Sequence, residues 1–247
     1  MPPRAYTYAL PRALAEQEGL RRYGFHGSSY KYLLERLSSH LEQPSTSTSA
    51  ILCHLGAGAS MACVKDGVCV DTTMGVTPLE GLVMASRSGD VDPAVVLYLL
   101  DNGKRSAADV DALLNKQSGL AGICGEKDIR SILQKMQQGD ASAKLAFEVF
   151  IHRVRRYLGA YLVELGGKPD AIVFSAGIGE NSAYVRSAIL RGLEGVGIEV
   201  DEGKNAMLVG GLAGEFGAAS GNTKLVVIPT DEELSIAKQA WDAVTDA

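Results

Sequence analysis

Two glycine-containing turns could direct backbone N–H groups at an anion, and both follow a predicted strand. The first, residues 56–58, lies between two apolar runs, so a tight hairpin turn of small residues explains it as well as an anion site does. The second, residues 177–181, connects a predicted strand to a helix N-terminus, and helix N-termini bind phosphate groups. An ordinary strand-to-helix turn is the alternative there. Each turn alone is compatible with nucleotide binding and with a purely structural role.

Three ionisable side chains near small residues are further candidates for chemistry. Arg87 lies among small and acidic residues that form no apolar core, so its guanidinium either pairs with Asp90 or Asp92 or is free to bind a phosphoryl group. His26 lies in GFHGSS, between two glycines. Its imidazole could point out of the fold and bind a ligand, or it could have a purely structural role. His54 lies inside an apolar strand, a pattern typical of a buried core histidine with satisfied hydrogen bonds.

A third turn, residues 229–232, follows the last predicted strand. Thr230 and Glu233 have the spacing of a capping box, in which each side chain bonds a backbone N–H group at a helix start. This box accounts for Glu233 without any function. Glu232 takes no part in it and is available for another role.

Composition and missing motifs exclude several classes of function. The 24 Lys and Arg against 29 Asp and Glu give a net charge of −5, which provides no broad basic surface for nucleic acid or anionic lipid. There is no HExxH, no zinc-type Cys/His spacing and no GxSxG motif, so nothing supports a zinc enzyme or a serine hydrolase. The four cysteines form no CxxC pair, and no run of eighteen apolar residues occurs. We therefore expect a cytoplasmic protein that binds neither nucleic acid nor membrane.

The predicted secondary structure that positions these residues begins with hairpin strands and continues mainly with helices. Residues 50–64 predict two strands around the first glycine turn, and Asp66-Gly67 predicts a hairpin into a third strand at 68–71. Later strands are predicted at 171–175 and 225–228. Helices are predicted at 28–39, 92–102, 107–116, 128–138, 141–165 and 182–190, with a last one from Thr230 to about residue 244. This order predicts an α/β fold: a mixed sheet with antiparallel hairpin strands and flanking helices.

Five segments, in this order, resemble the acetate and propionate kinase family. They are RRYGFHGSS (21–29), HLGAGAS (54–60), DTTMGVTPLEGLVMASRSGDVDP (71–93), FSAGIGEN (174–181) and IPTDEEL (228–234). The resemblance covers essentially the whole chain. It implies a ribonuclease-H-like lobe of the actin-like, sugar-kinase ATPase fold, with residues 1–230 as a C-terminal nucleotide-binding lobe. Residues 231–247 would then be a terminal helix that packs on an N-terminal lobe.

The resemblance also implies a reaction and the residues that perform it. The reaction is reversible, magnesium-dependent, in-line phosphoryl transfer between ATP and acetate, giving acetyl phosphate and ADP. His26 and Arg87 would stabilise the transition state, Phe25 and Pro78 would form part of a small acyl pocket, and Glu232 would help to hold magnesium. A homodimer is implied too. The implied ATP-site residues are His54, Leu55, Gly56, Ala57, Gly58, Asp128, Ile129, Arg130, Gly177, Ile178, Gly179, Glu180 and Asn181.

The sequence departs from the family pattern at two site positions and at its start. The pattern has Asn where this chain has Ala57, and a second His where this chain has Tyr30. Family members carry an N-terminal lobe before the segment that corresponds to Met1. The residues of that lobe have no counterpart here, so we expect weak or absent turnover from this chain alone.

Three other functions stay open at this point. A propionate or butyrate kinase would carry the same motifs. A non-catalytic nucleotide-binding or dimerisation module would bind nucleotide and form a dimer without making an acyl phosphate. A sugar kinase or a chaperone-type ATPase would share the fold, but RSGDVDP and GFHGSS argue against both.

Overall fold

A computed structural model describes residues 1–230 and shows one mixed six-stranded sheet. The strands are β1 (Ala50–Leu55), β2 (Ala59–Lys65), β3 (Val68–Thr72), β4 (Ala171–Ser175), β5 (Gly214–Glu215) and β6 (Lys224–Val227), in the spatial order β3-β2-β1-β4-β6-β5. β1, β2 and β3 are antiparallel neighbours, β4 pairs in parallel with both β1 and β6, and β5 is an antiparallel edge strand. The predicted mixed sheet with hairpin strands is confirmed.

Helices flank this sheet and fill its long connections. They are α1 (Pro3–Tyr6), α2 (Arg12–Glu18), α3 (Gly27–His40), α4 (Pro93–Asp101), α5 (Ala107–Lys116), α6 (Gly119–Cys124), α7 (Ile129–Gln137), α8 (Ala141–Glu164), α9 (Ala176–Asn181), α10 (Ala183–Leu190) and α11 (Glu202–Met207), with short 3-10 turns at Ser45–Ser47 and Glu194–Val196. Within residues 1–230, none of these helices is long and apolar enough to cross a membrane.

The sheet separates two apolar clusters, because side chains alternate between the two faces of a strand. All six residues of β1 are buried. Ile51, Cys53 and Leu55 pack in the larger cluster together with α8, whereas Ala50 and Leu52 pack in the smaller cluster together with α3. His54 therefore lies on the face covered by α3.

The predicted elements are confirmed at nearly all positions, with boundaries shifted by one or two residues. The exception is the segment 176–181, expected to be a turn, which forms the short helix α9 and begins with Ala176 in the left-handed region at φ 63°. α1, α2, α6, α11 and β5 were not predicted, since two to seven residues are too few to show a periodic pattern. The predicted terminal helix and the domain boundary after residue 230 lie outside the described residues.

Candidate active site

The turn between β1 and β2 packs against the start of α9. In the hairpin, His54 pairs with Ser60 and Leu55 with Ala59, and the Gly56 N–H donates to the Gly58 carbonyl at 3.1 Å. A Cβ added to Gly56 would lie 3.2 Å from the Gly58 carbonyl oxygen and 3.4 Å from the Ala176 Cβ. The absence of a side chain therefore lets the hairpin tip and α9 approach closely.

Polar side chains of α9 bind neighbouring backbone. The Asn181 side chain donates to the Gly177 carbonyl at 3.0 Å and accepts from the Gly210 N–H at 2.9 Å. The Glu180 carboxylate accepts from both the N–H and the hydroxyl of Thr230, at 2.8 and 3.0 Å. These bonds hold α9 between the segment after α11 and the end of the described chain.

Arg186, a completely buried arginine on α10, also binds the backbone of α9. Its Nη1 donates to the carbonyls of Gly179 and Glu180 at 2.7 and 3.0 Å. Its Nε donates to the Asn205 side chain at 2.7 Å, and Nη2 donates to the carbonyls of Asn205 and Leu208, each at 2.8 Å. Burial lowers the pKa of Arg186 to about 10, which still leaves it charged at neutral pH. One cation thus satisfies the last carbonyls of both α9 and α11.

The N-terminus of α7 forms a further wall opposite α9. Asp128 is its N-cap and accepts from the Arg130 N–H at 2.9 Å. The Arg130 guanidinium bonds the same carboxylate, with a shortest distance of 2.6 Å, and these bonds hold the pKa of Asp128 below its usual value.

A cleft of about 540 Å³ opens between these three walls, and we call it the hairpin cleft. Its size suits a small organic ligand, since such sites commonly enclose about 300–1,000 Å³. The structure thus brings together eight of the predicted ATP-site residues from three distant segments. The residues lining the cleft are Gly56, Ala57, Ala85, Lys127, Asp128, Ile129, Arg130, Gly177, Ile178, Asn181 and Ser182.

His26 and Arg87 meet beside Gly58 of the hairpin. A Cβ added to Gly58 would lie 3.7 Å from His26 Nε2 and 3.6 Å from Arg87 Nη1. His26 precedes α3 with φ 61°, and its ring stacks on His54 at 4.1 Å between centroids. The structure therefore places the His26 imidazole and the Arg87 guanidinium next to the same glycine.

Arg87 does not pair with the nearby acids that the sequence offered as partners. Asp90 forms an ion pair with Arg153 at 3.3 Å, and Asp92 caps α4. In the described part of the chain, Arg87 Nη1 instead contacts the Pro78 carbonyl at 3.4 Å. Among residues 1–230, the Arg87 guanidinium therefore has no carboxylate partner.

Residues 1–238 match the profile of the Acetokinase family. The chain belongs to this family. Acetate kinases from Nitratidesulfovibrio vulgaris strain DP4 and Streptomyces coelicolor are each 47% identical to it, over 244 and 247 residues, and the alignments cover 99% and 100% of this chain. The chain spans about 60% of the length of these curated relatives.

Solved structures of family members share the fold. The structure of Porphyromonas gingivalis acetate kinase superposes with a TM-score of 0.93 at 38% identity, covering 97% of this chain and 60% of that one. A propionate kinase from Francisella tularensis superposes with a TM-score of 0.89 at 41% identity, covering 96% and 60%. The expected α/β fold of the family is therefore confirmed.

Five predicted ATP-site residues of this Acetokinase family member, Gly58 among them, do not line the hairpin cleft. His54 and Leu55 are buried in β1, and Gly179 packs against Phe174. Glu180 bonds Thr230, as described above. Glu232 lies outside the described residues.

Phe25 and Pro78, the predicted acyl-pocket residues, lie on two segments that are bonded to each other. The Gly75 carbonyl, three residues before Pro78, accepts from the N–H groups of Tyr23 and Gly24, just before Phe25. Phe25 is 37% exposed and lines a cavity of about 410 Å³ beside α3, β2 and β3.

A network that sequence reasoning missed fixes these segments. Glu80 pairs with Arg22 at 2.7 Å and accepts a short hydrogen bond from the Tyr8 hydroxyl. The partially buried Tyr8 has its pKa raised to about 12 by burial and by Glu80. A Cβ on Gly75 would lie 1.7 Å from Glu80 Oε2, so only glycine fits beneath the pair. The partners are up to 72 residues apart in sequence, which is why no local pattern indicated them.

Residues 1–230 contain no group of three or more His, Cys, Asp or Glu side chains that could hold a metal ion.

Proposed function

We propose that this chain is the nucleotide-binding lobe of an acetate kinase, and that the hairpin cleft binds ATP or ADP. The observation that carries the proposal is the meeting of His26 and Arg87 at Gly58, the end of the hairpin turn whose Gly56 and Ala57 line the cleft. Membership of the Acetokinase family and the acetate and propionate kinase relatives support a short-chain carboxylate as the acceptor.

In this proposal the transfer needs no protein nucleophile. A short carboxylate is ionised at neutral pH, so its oxygen attacks the γ-phosphorus directly while the bridging P–O bond breaks and its electron pair leaves with ADP. Negative charge spreads over the three other γ-oxygens. Arg87 carries a permanent positive charge and His26 offers a ring nitrogen at the same place, and preorganised donors of this kind stabilise such a transition state.

The finer parts of the proposal rest on the family resemblance. Glu232 would help to hold magnesium. Two copies would form a cytoplasmic homodimer; in support, α4 has no buried residue and exposes Val95, Leu97 and Tyr98. We expect this chain, which spans about 60% of the length of its relatives, to bind nucleotide.

A second candidate is a lobe that binds nucleotide without catalysis. A propionate or butyrate kinase is the alternative within the family.

Acyl phosphate formation, trapped with hydroxylamine, tests the proposal with purified chain, ATP, magnesium and acetate, propionate or butyrate. ADP affinity is measured on the same samples by calorimetry. Turnover that Arg87→Ala abolishes would support a working kinase site, and the preferred acid would identify the acyl chain. ADP binding without turnover would support the second candidate. A folded chain that neither binds ADP nor turns over would contradict both.

A further inference from the structure

Tyr30 and Ser60 form a buried hydrogen-bonded pair directly behind His26. Ser60 is fully buried on β2, and its Oγ lies 2.7 Å from His26 Nδ1. The hydroxyl of Tyr30, one helical turn after His26 on α3, bonds the same Oγ.

The donors and acceptors of Tyr30, Ser60 and His26 limit where the protons of the two hydroxyl groups can lie. Burial raises the pKa of Tyr30 above its usual value, so the phenol keeps its proton. Ser60 Oγ is the one hydrogen-bond partner of that hydroxyl within residues 1–230. The Ser60 hydroxyl, in turn, has two neighbours that could accept its proton: His26 Nδ1 and the Tyr30 oxygen.

One arrangement gives both hydroxyl protons an acceptor. If Tyr30 donates to Ser60 and Ser60 donates to His26 Nδ1, both hydroxyl protons have acceptors. If His26 Nδ1 carried a proton, Ser60 Oγ would have to accept that hydrogen bond. The proton of either Ser60 or Tyr30 would then have no acceptor among residues 1–230, in a buried site. Leaving a buried donor unsatisfied is costly, so the first arrangement is favoured.

We propose that Ser60, held by Tyr30, fixes His26 as the tautomer in which Nδ1 accepts a hydrogen bond and Nε2 carries the proton. Nε2 is the nitrogen on the Gly58 side of the ring, where Arg87 Nη1 also lies. Resting on the function proposed above, this gives His26 an N–H donor aimed where the oxygens of the transferred phosphoryl group would lie. Tyr30 and Ser60 are then positioning residues that act through His26.

The neighbouring rings keep the imidazole in this orientation. His54 stacks on His26 with an interplanar angle of 18° and is itself bonded to Ser29 at 3.0 Å. Tyr30 meets the His26 ring edge-on at 6.5 Å between centroids. A ring held by its neighbours on these sides does not exchange its two nitrogens by flipping without disturbing them.

Nitrogen NMR of the imidazole side chains tests the proposal on the ligand-free chain. Long-range proton–nitrogen spectra at pH 8 distinguish a protonated from an unprotonated ring nitrogen, and the His26 signals are assigned by their loss in His26→Gln. We expect His26 Nδ1 to resonate as an unprotonated nitrogen and Nε2 as an N–H nitrogen. His40 and His152, elsewhere on the protein, are internal references.

Two variants and two matched controls separate positioning from general stability. Ser60→Ala removes the donor to Nδ1, so we expect the tautomer ratio of His26 to change by about fivefold or more towards an even mixture. Tyr30→Phe removes the group that holds Ser60 and should give a smaller change in the same direction. Ser38→Ala removes another buried hydroxyl of α3, bonded to Thr48 at 2.9 Å. Tyr161→Phe removes a buried hydroxyl that has no hydrogen-bond partner among residues 1–230. Neither control should alter the His26 signals.

A protonated Nδ1 in the wild-type chain would overturn the proposal, as would an unchanged tautomer ratio in a folded Ser60→Ala. The test needs neither turnover nor bound nucleotide. A chain that fails the hydroxylamine and ADP measurements but shows this tautomer would contradict the proposed function and leave the positioning of His26 intact. The reverse pattern would contradict the positioning alone.

Discussion

The ionisation of His54 shows how strongly burial acts on one residue of the site. Desolvation, with a contribution from His26, lowers the pKa of His54 to about 4 from an ordinary 6.5. Between these values the unfolded chain binds a proton that the folded chain does not, so stability rises with pH. The stabilisation is complete above pH 6.5 and is lost as the pH falls towards 4.

We therefore expect the free energy of unfolding to fall by about 3 kcal/mol between pH 7 and pH 4 because of His54, on top of the contributions of other groups. Urea unfolding across this range measures it. His54→Gln should flatten the pH dependence, and His40→Gln, at a half-exposed histidine paired with Glu215, is the matched control. Equal slopes in wild type and His54→Gln would contradict the assignment.

Arg186 carries a second prediction at the scale of one residue. Arg186→Met leaves the carbonyls of Gly179, Glu180 and Leu208 without their donor, so we expect a loss of roughly 3 kcal/mol in unfolding free energy. We also expect weaker ADP binding, because α9 lines the hairpin cleft. Urea unfolding and calorimetry measure the two effects.

The matched control is Arg155→Met. Arg155 likewise donates to two carbonyls at a helix end, those of Ile189 and Arg191, but does not touch α9. It should cost less stability and leave ADP affinity unchanged. If ADP affinity fell equally in both variants, Arg186 would have no special relation to the cleft.

At the scale of the elements, the β1–β2 hairpin allows a prediction because there is room for a methyl group at Gly58. A methyl group at Gly58 meets ordinary contacts at 3.6 and 3.7 Å, so Gly58→Ala should fold normally. The methyl group would nevertheless occupy the space between His26 and Arg87. We expect ATP affinity to fall about tenfold, close to 1.4 kcal/mol, with a much smaller change for ADP.

Calorimetric titrations with ATP and ADP measure this difference. Gly75→Ala provides the contrast, because its methyl group would overlap the Glu80 carboxylate and should destabilise the fold itself. Unchanged ATP affinity in Gly58→Ala would mean that the γ-phosphate does not reach this glycine.

Sequence reasoning succeeded where an element's signals are local. The Asp66-Gly67 turn and the apolar runs around residues 56–58 predicted the hairpin, and periodicity predicted α3 and α8. It failed for α9, because the two glycines of that segment are typical of a turn and Ala176 gives no hint of a left-handed backbone. Nor did it find Arg186, although an arginine between the buried Val185 and Ile189 of one short helix was a usable signal.

At the scale of the whole molecule, the exposed apolar surface of α4 bears on the expected homodimer. Leu97 and Tyr98 are 62% and 63% exposed, and exposed apolar side chains of this kind are available to a subunit interface. If the dimer uses α4, Leu97→Asp should convert it to monomer, as measured by sedimentation velocity. Val163→Asp, at a valine of α8 that is 82% exposed, should leave the dimer unchanged. A dimer that survives Leu97→Asp would place the interface elsewhere.

The pairing of Tyr8 with Glu80 has a consequence for shortened forms of this protein. α1 and α2 contribute no buried residue, so a chain that started after residue 20 would lose almost nothing of its apolar interior. It would nevertheless lose the hydroxyl that binds Glu80 and the Val76 N–H beside Pro78. We expect such a form to be expressed and to have the melting temperature of the parent, although the loop that contains Arg87 would be less well fixed. A thermal-shift measurement alone would therefore not detect the damage to the site.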